Sequence, residues 1–333
     1  MSWRRSMNVT RIALIVAMAC GLFAASVDGQ RLGKIARVGI LSPLSPPPAS
    51  APPPVLLQAL RELGWAEGQN LAVETRWAEG RMDRLPELAA DLVRAGVDVI
   101  FTNGYPATVA AKSATKTIPI VFSTHVDPVG TGLVVSLARP GGNITGFTLS
   151  APELAGKRLE LLREATSGVT RVAILMNTAN PGFEPTLRQT ESAARSIGLR
   201  LQLLEANAPG EFERAFAAMV ERGAAALHVQ LDPMFLAQRA RLVELATKNR
   251  LPAMYDLKEF VDAGGLISYG PRLSEELRRT ASHVHKILRG ANPAELPVEQ
   301  PTRYELVINL KTAKTLGVTI PQTLLVRADE VIQ

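Results

Sequence analysis

The sequence predicts an α/β protein made of two doubly wound parallel-sheet lobes joined by a hinge. Short apolar runs of strand length recur along the chain, and stretches with apolar residues at helical spacing separate them. Such alternation is typical of parallel sheets covered by helices on both faces. The alternation lapses near the middle of the chain and then restarts, which indicates two sheets. A length of 333 residues with 47% hydrophobic side chains is enough for two domains with buried cores.

Each element is predicted from its own stretch of sequence. The apolar runs predict strands at Val38–Leu41, Leu71–Trp77, Val97–Thr102, Ile118–Ser123, Val172–Asn177, Leu199–Glu205, Ala225–Gln230, Pro252–Tyr255 and Leu266–Tyr269. Apolar residues at helical spacing predict helices at Val55–Leu63, Leu85–Ala95, Glu153–Ala165, Phe183–Ile197, Phe212–Arg222, Phe235–Asn249 and Leu273–Leu288.

The lobe boundaries follow from two stretches of low regularity. His125–Thr148 is dense in proline and glycine, as expected of a crossover, and Gly290–Pro301 contains three prolines. We therefore expect the chain to pass between the lobes near 145–150 and again near its end. The expected division is a first lobe of 35–146 plus 270–300 and a second lobe of 147–269 plus 301–333.

The N-terminus has the composition of an export signal. Residues 1–29 have a basic start, an apolar segment beginning at Ile12–Ala19, and small residues before a polar stretch. The apolar segment is too short and too interrupted for a membrane span. We expect a signal peptide at 1–29 and a periplasmic mature protein. The exact cleavage site stays open, because small residues stand at −3 and −1 both for a cut before Gln30 (Val27 and Gly29) and for a cut after Ser26 (Ala24 and Ser26). A lipid anchor at Cys20 stays open as an alternative.

Composition excludes several other classes of protein. Residues 1–29 hold three basic side chains and one acidic one, which leaves 34 basic and 30 acidic groups in the rest of the chain. No run of like charges and no basic stretch with interleaved aromatics occurs, so we expect no nucleic-acid partner. A single cysteine rules out an internal disulfide and cysteine-based zinc sites.

Motifs for catalysis and cofactor binding are missing. The chain has no G-x-G-x-x-G after a strand, no Walker sequence, no G-x-S-x-G and no H-E-x-x-H. His125 follows a strand end but has no fixed partner in the sequence, and His228 lies inside an apolar strand, as a core histidine would. We therefore expect no catalytic residues, no metal and no cofactor, and thus no enzyme.

Polar loops follow the carboxyl ends of the predicted strands, where parallel sheets bind ligands. Several of these loops open helices, whose free N–H groups favour a carboxylate. Asp232, Asp256, Tyr105 and Tyr269 could hold an ammonium group or stack against an apolar body. The same residue types also serve as helix caps and turns, so this pattern alone leaves both interpretations open.

Several longer strings resemble one protein family. They are Leu60-Arg-Glu-Leu-Gly-Trp, Leu85-Pro-x-Leu-Ala-Ala-Asp-Leu-Val93, Ile118-Pro-Ile-Val121, Ser136-Leu-Ala-Arg-Pro-Gly-Gly-Asn-Ile-Thr-Gly146, Lys157-Arg-Leu-Glu-Leu-Leu162 and Gly264-Gly-Leu-Ile-Ser-Tyr-Gly270. Together they are similar to the ABC-transporter substrate-binding proteins whose best-known members bind tryptophan. The similarity covers nearly all of the chain after residue 35.

This resemblance implies a type I periplasmic binding fold whose two lobes close on a ligand. It assigns an amino acid's α-carboxylate and α-amino groups to first-lobe residues Ser42, Asn103, Gly104, Tyr105, Thr124 and Asp127. It assigns closure over the ligand to second-lobe residues Asn177, Asn180, Asp232, Asp256 and Tyr269. One departure is the first loop, Ser42–Pro54, whose seven prolines remove backbone N–H donors from that wall.

The resemblance implies an exported, monomeric solute-binding protein of an ABC importer. It would bind a small molecule, an amino acid or a related carboxylate, and deliver it to a permease in the inner membrane. Two alternatives stay open, namely an exported sensor that feeds a signalling partner and an enzyme on the same fold. Aromatic residues make up only 5% of the chain, so an aromatic-stacking pocket is not required, and the ligand is not specified.

Overall fold

The structure, a computed structural model, describes residues 35–48, 50, 54–149 and 152–333. The expected signal peptide and Cys20 lie outside these residues. Within the described part of the chain, no helix is long and apolar enough to cross a membrane.

The first lobe is built on a five-stranded parallel sheet in the order β2-β1-β3-β4-β5. Its strands are β1 (Ala36–Ser42), β2 (Leu71–Trp77), β3 (Val99–Asn103), β4 (Ile120–Thr124) and β5 (Ile144–Thr148). Its helices are α1 (Val55–Glu62), α2 (Leu85–Arg94), α3 (Tyr105–Ala114) and, from much later in the chain, α10 (Leu273–Leu288). Apolar residues of α1 and α10 cover one face of the sheet, and those of α2 and α3 cover the other.

The second lobe is built on a seven-stranded sheet in the order β12-β11-β10-β9-β8-β6-β7. Its strands are β6 (Arg171–Met176), β7 (Arg200–Glu205), β8 (Ala226–Val229), β9 (Ala253–Tyr255), β10 (Ile267–Gly270), β11 (Glu305–Asn309) and β12 (Glu330–Ile332). Its helices are α4 (Pro152–Ala165), α5 (Phe183–Ser196), α6 (Phe212–Glu221), α7 (Pro233–Ala237), α8 (Arg239–Lys248), α9 (Lys258–Asp262), α11 (Leu310–Leu316) and α12 (Gln322–Arg327). All pairs are parallel except β10 with β11.

Amphipathic helices explain why each sheet is buried on both faces. In α2, for example, Leu85, Leu88, Ala89 and Leu92 recur at helical spacing and are all buried. The central strands carry apolar residues on both faces, as a sheet covered on both sides requires, and β4 and β5 are buried along their whole length. The predicted fold class, two doubly wound parallel-sheet lobes of the type I periplasmic binding architecture, is confirmed.

The chain passes between the two sheets after β5, between β10 and α10, and between Glu299 and β11. The last passage is tied to the first, because the backbone of Glu299 exchanges hydrogen bonds with Gly146 and Thr148 of β5. The connections therefore lie side by side at one edge of the two lobes.

Two details of the predicted elements are wrong. The stretch predicted to be irregular contains β5, because Gly146 is needed for close packing and not for a turn: a Cβ there would overlap the backbone of Phe122 on β4. The helix predicted at Phe235–Asn249 is two helices, α7 and α8, which meet at the non-helical residue Gln238.

Candidate ligand-binding site

A cleft lies between the lobes, and residues at the carboxyl ends of strands from both sheets line it. One part of the cleft, called here the apolar chamber, is lined mostly by hydrocarbon side chains together with polar groups of the β3 and β4 loops. Its lining is Leu44, Asn103, Gly104, Ser123, Thr124, His125, Leu149, Leu231, Pro233, Leu236, Leu257, Leu273 and Leu277.

The other part, called here the polar chamber, reaches into the second lobe between β8, α4 and α5. Its lining is His125, Leu149, Ala155, Arg158, Thr186, Gln189, Thr190, His228, Gln230, Leu231, Asp256, Leu257 and Pro271. Four residues, His125, Leu149, Leu231 and Leu257, line both chambers, so the two are adjacent. Each holds about 500 Å³ of empty space, counting its opening to solvent.

The first lobe presents the start of helix α3 to the apolar chamber. Gly104 has φ +86°, a conformation that favours glycine, and its N–H donates to the carbonyl of Ser123 on β4 (2.8 Å). No side chain caps α3 at this residue. The N-terminal end of α3 therefore offers its positive dipole end to the cleft, where an anionic group of a ligand is stabilised.

The second lobe places the carboxylate of Asp232 at the start of α7. Asp232 is 3% exposed and accepts hydrogen bonds from Nδ2 of Asn180 (2.7 Å), Nδ2 of Asn177 (3.3 Å) and the backbone N–H of Met234 (2.8 Å). These donors are all amides and carry no charge. Because neutral donors leave the negative charge of Asp232 unbalanced, a cationic group in the cleft is favoured.

We expect the substitution Asp232→Ala to lower the free energy of unfolding by about 2 kcal/mol, since it removes the α7 cap and leaves two buried amides without their acceptor. Urea unfolding of both proteins measures the difference. The control is Asp262→Ala, which removes an exposed carboxylate of the same lobe. A loss no larger than in the control would show that this cluster does not stabilise the lobe.

Asp256 is at the centre of a second buried cluster. Its carboxylate accepts from Nη1 of Arg158 (3.2 Å), Nε2 of His228 (2.8 Å) and the backbone N–H of Leu231 (3.3 Å). Burial alone raises the pKa of Asp256, but the Arg158 guanidinium and the His228 hydrogen bond outweigh it and hold that pKa below its usual value. Arg158 is fixed from the other side, because its Nε donates to the carbonyl of Tyr269 (2.7 Å).

His125 stands between the two chambers. Burial lowers the pKa of its imidazole, against the opposite effect of the Asp232 and Asp256 carboxylates in the other lobe. His125 is therefore neutral at pH 7, and its ring can both donate and accept a hydrogen bond.

The two lobes are in contact across the cleft. Gly182, before α5, faces the first lobe so closely that a Cβ there would overlap Cγ1 of Val126 and lie 3.4 Å from Cδ1 of Tyr105. On the other side, a Cβ at Gly104 would lie 3.0 Å from Cγ of Pro233. The structure is thus a closed arrangement of the lobes.

The structure brings only part of the predicted site residues to the cleft lining. Asn103, Gly104, Thr124 and Asp256 line it, and Asn177, Asn180 and Asp232 form the cluster beside it. Tyr105 lies in the contact between the lobes.

Three predicted site residues lie outside the cleft lining. The hydroxyl of Ser42 accepts from the N–H of Leu44, and the carboxylate of Asp127 accepts from the N–H of Val129. The ring of Tyr269 lies 6.1 Å from that of Tyr304 and packs against the second-lobe core. These residues support loops and packing around the cleft.

Four of the residues that the sequence analysis missed lie on helices. Arg158 is on α4, and Thr186, Gln189 and Thr190 are on α5. A polar residue on an amphipathic helix has the pattern of a solvent-exposed position, so nothing in the spacing marks these four. Within the described residues, no group of three or more His, Cys, Asp or Glu side chains is placed to hold a metal ion.

Comparison with known proteins shows the family to which this chain belongs. The sequence model of the family described as ABC transporter substrate binding protein matches residues 37–332. A tyrosine-binding protein of Clostridioides difficile is 25% identical over 262 residues, which are 78% of this chain and 74% of that protein.

Two solved structures are similar throughout. A conserved domain protein from Vibrio cholerae is 28% identical with a TM-score of 0.83, over 90% of this chain and 100% of that one. A Streptococcus pneumonia ABC domain in complex with L-Trp is 26% identical with a TM-score of 0.80, over 89% of this chain and 99% of that one.

Proposed function

Because this chain belongs to the ABC transporter substrate-binding protein family, we propose that it is an exported receptor that closes its two lobes on an amino acid and delivers it to a membrane permease. The observation that carries the proposal is the closed cleft, which joins an uncapped helix start on one lobe to a buried carboxylate on the other. The zwitterion of an amino acid has a carboxylate for the helix start and an ammonium group for the buried carboxylate.

The amino acid's carboxylate binds at the start of α3, next to Asn103, Ser123 and Thr124. Its ammonium group lies toward Asp232, whose charge has only amide donors around it. A simple carboxylate would leave the charge of Asp232 unbalanced, so we favour an amino acid over other acids of the same size. The named ligands of two relatives, tyrosine and tryptophan, agree with this choice.

Closure follows from contacts with both lobes. A ligand that touches α3 and the second lobe together stabilises the closed form, whereas a ligand held by one lobe alone would not shift the equilibrium. The lobes move relative to each other about the three chain connections at Thr148, Gly270 and Gln300–Arg303. One lobe comprises 35–146 plus 270–300, and the other comprises 147–269 plus 301–333. The permease recognises the closed pair of lobes.

The remaining features of the proposal come from the sequence. The signal peptide at 1–29 directs the protein to the periplasm, where it works as a monomer. It binds its ligand without converting it, and it needs no cofactor, metal or nucleic acid.

A thermal-shift screen of residues 30–333 against amino acids, small carboxylates and nucleosides tests this function. A ligand at about a hundred times its Kd adds roughly 2.7 kcal/mol of stability, which raises the melting temperature by roughly 5–10 °C. We expect such a rise with one or more amino acids and none with nucleosides. Shifts confined to carboxylates without an amino group would overturn the choice of ligand class.

A further inference from the structure

Two buried polar atoms in the polar chamber have no hydrogen-bond partner among the described residues. They are Oε1 of Gln230, a residue 6% exposed, and Nδ1 of His228, a residue 1% exposed. Both residues line the chamber. A buried polar atom without a partner is unfavourable, so two of them on residues that line one cavity indicate a partner that comes from outside the chain.

The surroundings make both atoms acceptors. Nε2 of Gln230 donates to Oγ1 of Thr190 (3.3 Å), which fixes the amide with its oxygen turned the other way. The carboxylate of Asp256 accepts a hydrogen bond from Nε2 of His228 (2.8 Å) and also pairs with Arg158. With Nε2 donating to Asp256, Nδ1 is the ring nitrogen left to accept a hydrogen bond.

The two acceptors are on the same face of one strand. His228 is in β8 and Gln230 follows directly after it, two residues on, so their side chains leave the sheet on the same side. That side is the one on which Thr190 of α5 and Arg158 of α4 lie.

The lining residues fall into three groups. Gly104 lines the apolar chamber only, His125, Leu149, Leu231 and Leu257 line both chambers, and His228 and Gln230 line the polar chamber only. An amino acid bound by its carboxylate at Gly104 directs its side chain past the shared residues toward the acceptors.

We infer that Gln230 and His228 select the ligand by its side chain, and that the ligand is an amino acid whose side chain ends in a hydrogen-bond donor, such as a hydroxyl, an indole N–H or a carboxamide. This inference rests on the proposed function. A hydrocarbon side chain of the same size would leave both acceptors buried without a partner, so it binds ten- to a hundredfold more weakly.

The test is calorimetric titration with three matched pairs of ligands: tyrosine and phenylalanine, tryptophan and its benzothienyl isostere, and glutamine and methionine. In each pair that binds, we expect the ligand whose side chain has a hydrogen-bond donor to bind at least tenfold more tightly than its partner. In Gln230→Met, which keeps the length of the side chain, we expect this ratio to fall toward one. Gln202→Met is the control, because Gln202 is on β7, outside both chambers, and its variant should keep the ratio.

Each other result overturns the inference. Equal affinities within the pairs for the unmutated protein would exclude selection by a donor, and this comparison needs no variant to fold. A ratio that survives Gln230→Met would place the selection elsewhere. Equal weakening of both members by Gln230→Met would mean that the polar chamber holds the amino acid's head group instead. If no amino acid binds at all, the proposed function itself fails, and this inference fails with it.

Discussion

Replacing Gly182 by valine is expected to weaken ligand binding about a hundredfold without unfolding either lobe. The backbone of Gly182 has φ −78°, which any residue can adopt, and within its own lobe a Cβ would lie 3.3 Å from Oδ1 of Asn180. The Cβ would also overlap Val126 of the other lobe when the lobes are closed. Overpacking of this kind costs about 3 kcal/mol, and the closed form bears most of it. Calorimetric titration with the amino acid that gives the largest melting shift measures the loss.

The matched control is Gly210→Val in the same lobe, where a Cβ would meet nothing within 4 Å. Its affinity and its melting temperature without ligand should stay at the unmutated values. Binding by Gly182→Val as tight as that of the control would show that the lobes do not meet at this contact when ligand is bound.

Replacing Glu276 by glutamine is expected to stabilise the protein at alkaline pH. Glu276 is in the first turn of α10, 2% exposed, with no partner for either carboxyl oxygen among the described residues. Burial, together with the nearby Glu259 and Glu275 carboxylates, raises the pKa of Glu276 to about 9. The unfolded chain loses this proton near pH 4.3, so stability falls by about 1.4 kcal/mol per pH unit between that value and pH 9. The whole loss is present above pH 9 and absent below pH 4.

Glutamine does not ionise, so the stability of the variant does not fall with pH for this reason. At pH 7 its advantage over glutamate is about 4 kcal/mol, a rise of roughly 8–16 °C in melting temperature, and at pH 4.5 the two proteins should melt together. Melting curves from pH 4.5 to pH 9 measure the difference. The control is Glu275→Gln, a neighbouring carboxylate that is 53% exposed. If the difference in melting temperature between Glu276→Gln and the unmutated protein did not change with pH, the buried, protonated state of Glu276 would be contradicted.

Glu276 also lies beside the connections between the lobes. It lines a small pocket with Phe147 of β5 and with Arg272, Thr302 and Arg303 on two passages of the chain between the lobes.

Most of the fold could be predicted from the sequence because the elements carry strong periodic patterns. The helix at Leu85–Ala95 and the strand at Val172–Asn177 lie within a residue or two of α2 and β6. The strand β5 was missed because glycine and proline around it look like turn signals. Whether Gly146 serves a turn or a close approach depends on Phe122, which comes from another strand.

The candidate site was less predictable, for a related reason. Residues at strand ends, such as Asn103 and Asp256, could be proposed because parallel sheets bind ligands there. Gln230 and Thr190 meet only through the packing of α5 on the sheet, a contact between residues 40 positions apart. Single polar residues on helices give no sign of such a contact in one sequence. The loop residues Ser42 and Asp127 have side chains that serve the backbone of their own loops.

Small-angle X-ray scattering, with and without the amino acid that gives the largest melting shift, tests most directly whether the lobes close on a ligand. We expect the radius of gyration to fall as ligand is added, with the same half-saturation concentration as the calorimetric titration, and to fall less in Gly182→Val. A radius of gyration that stays constant while the ligand saturates its site would contradict closure as the binding mechanism.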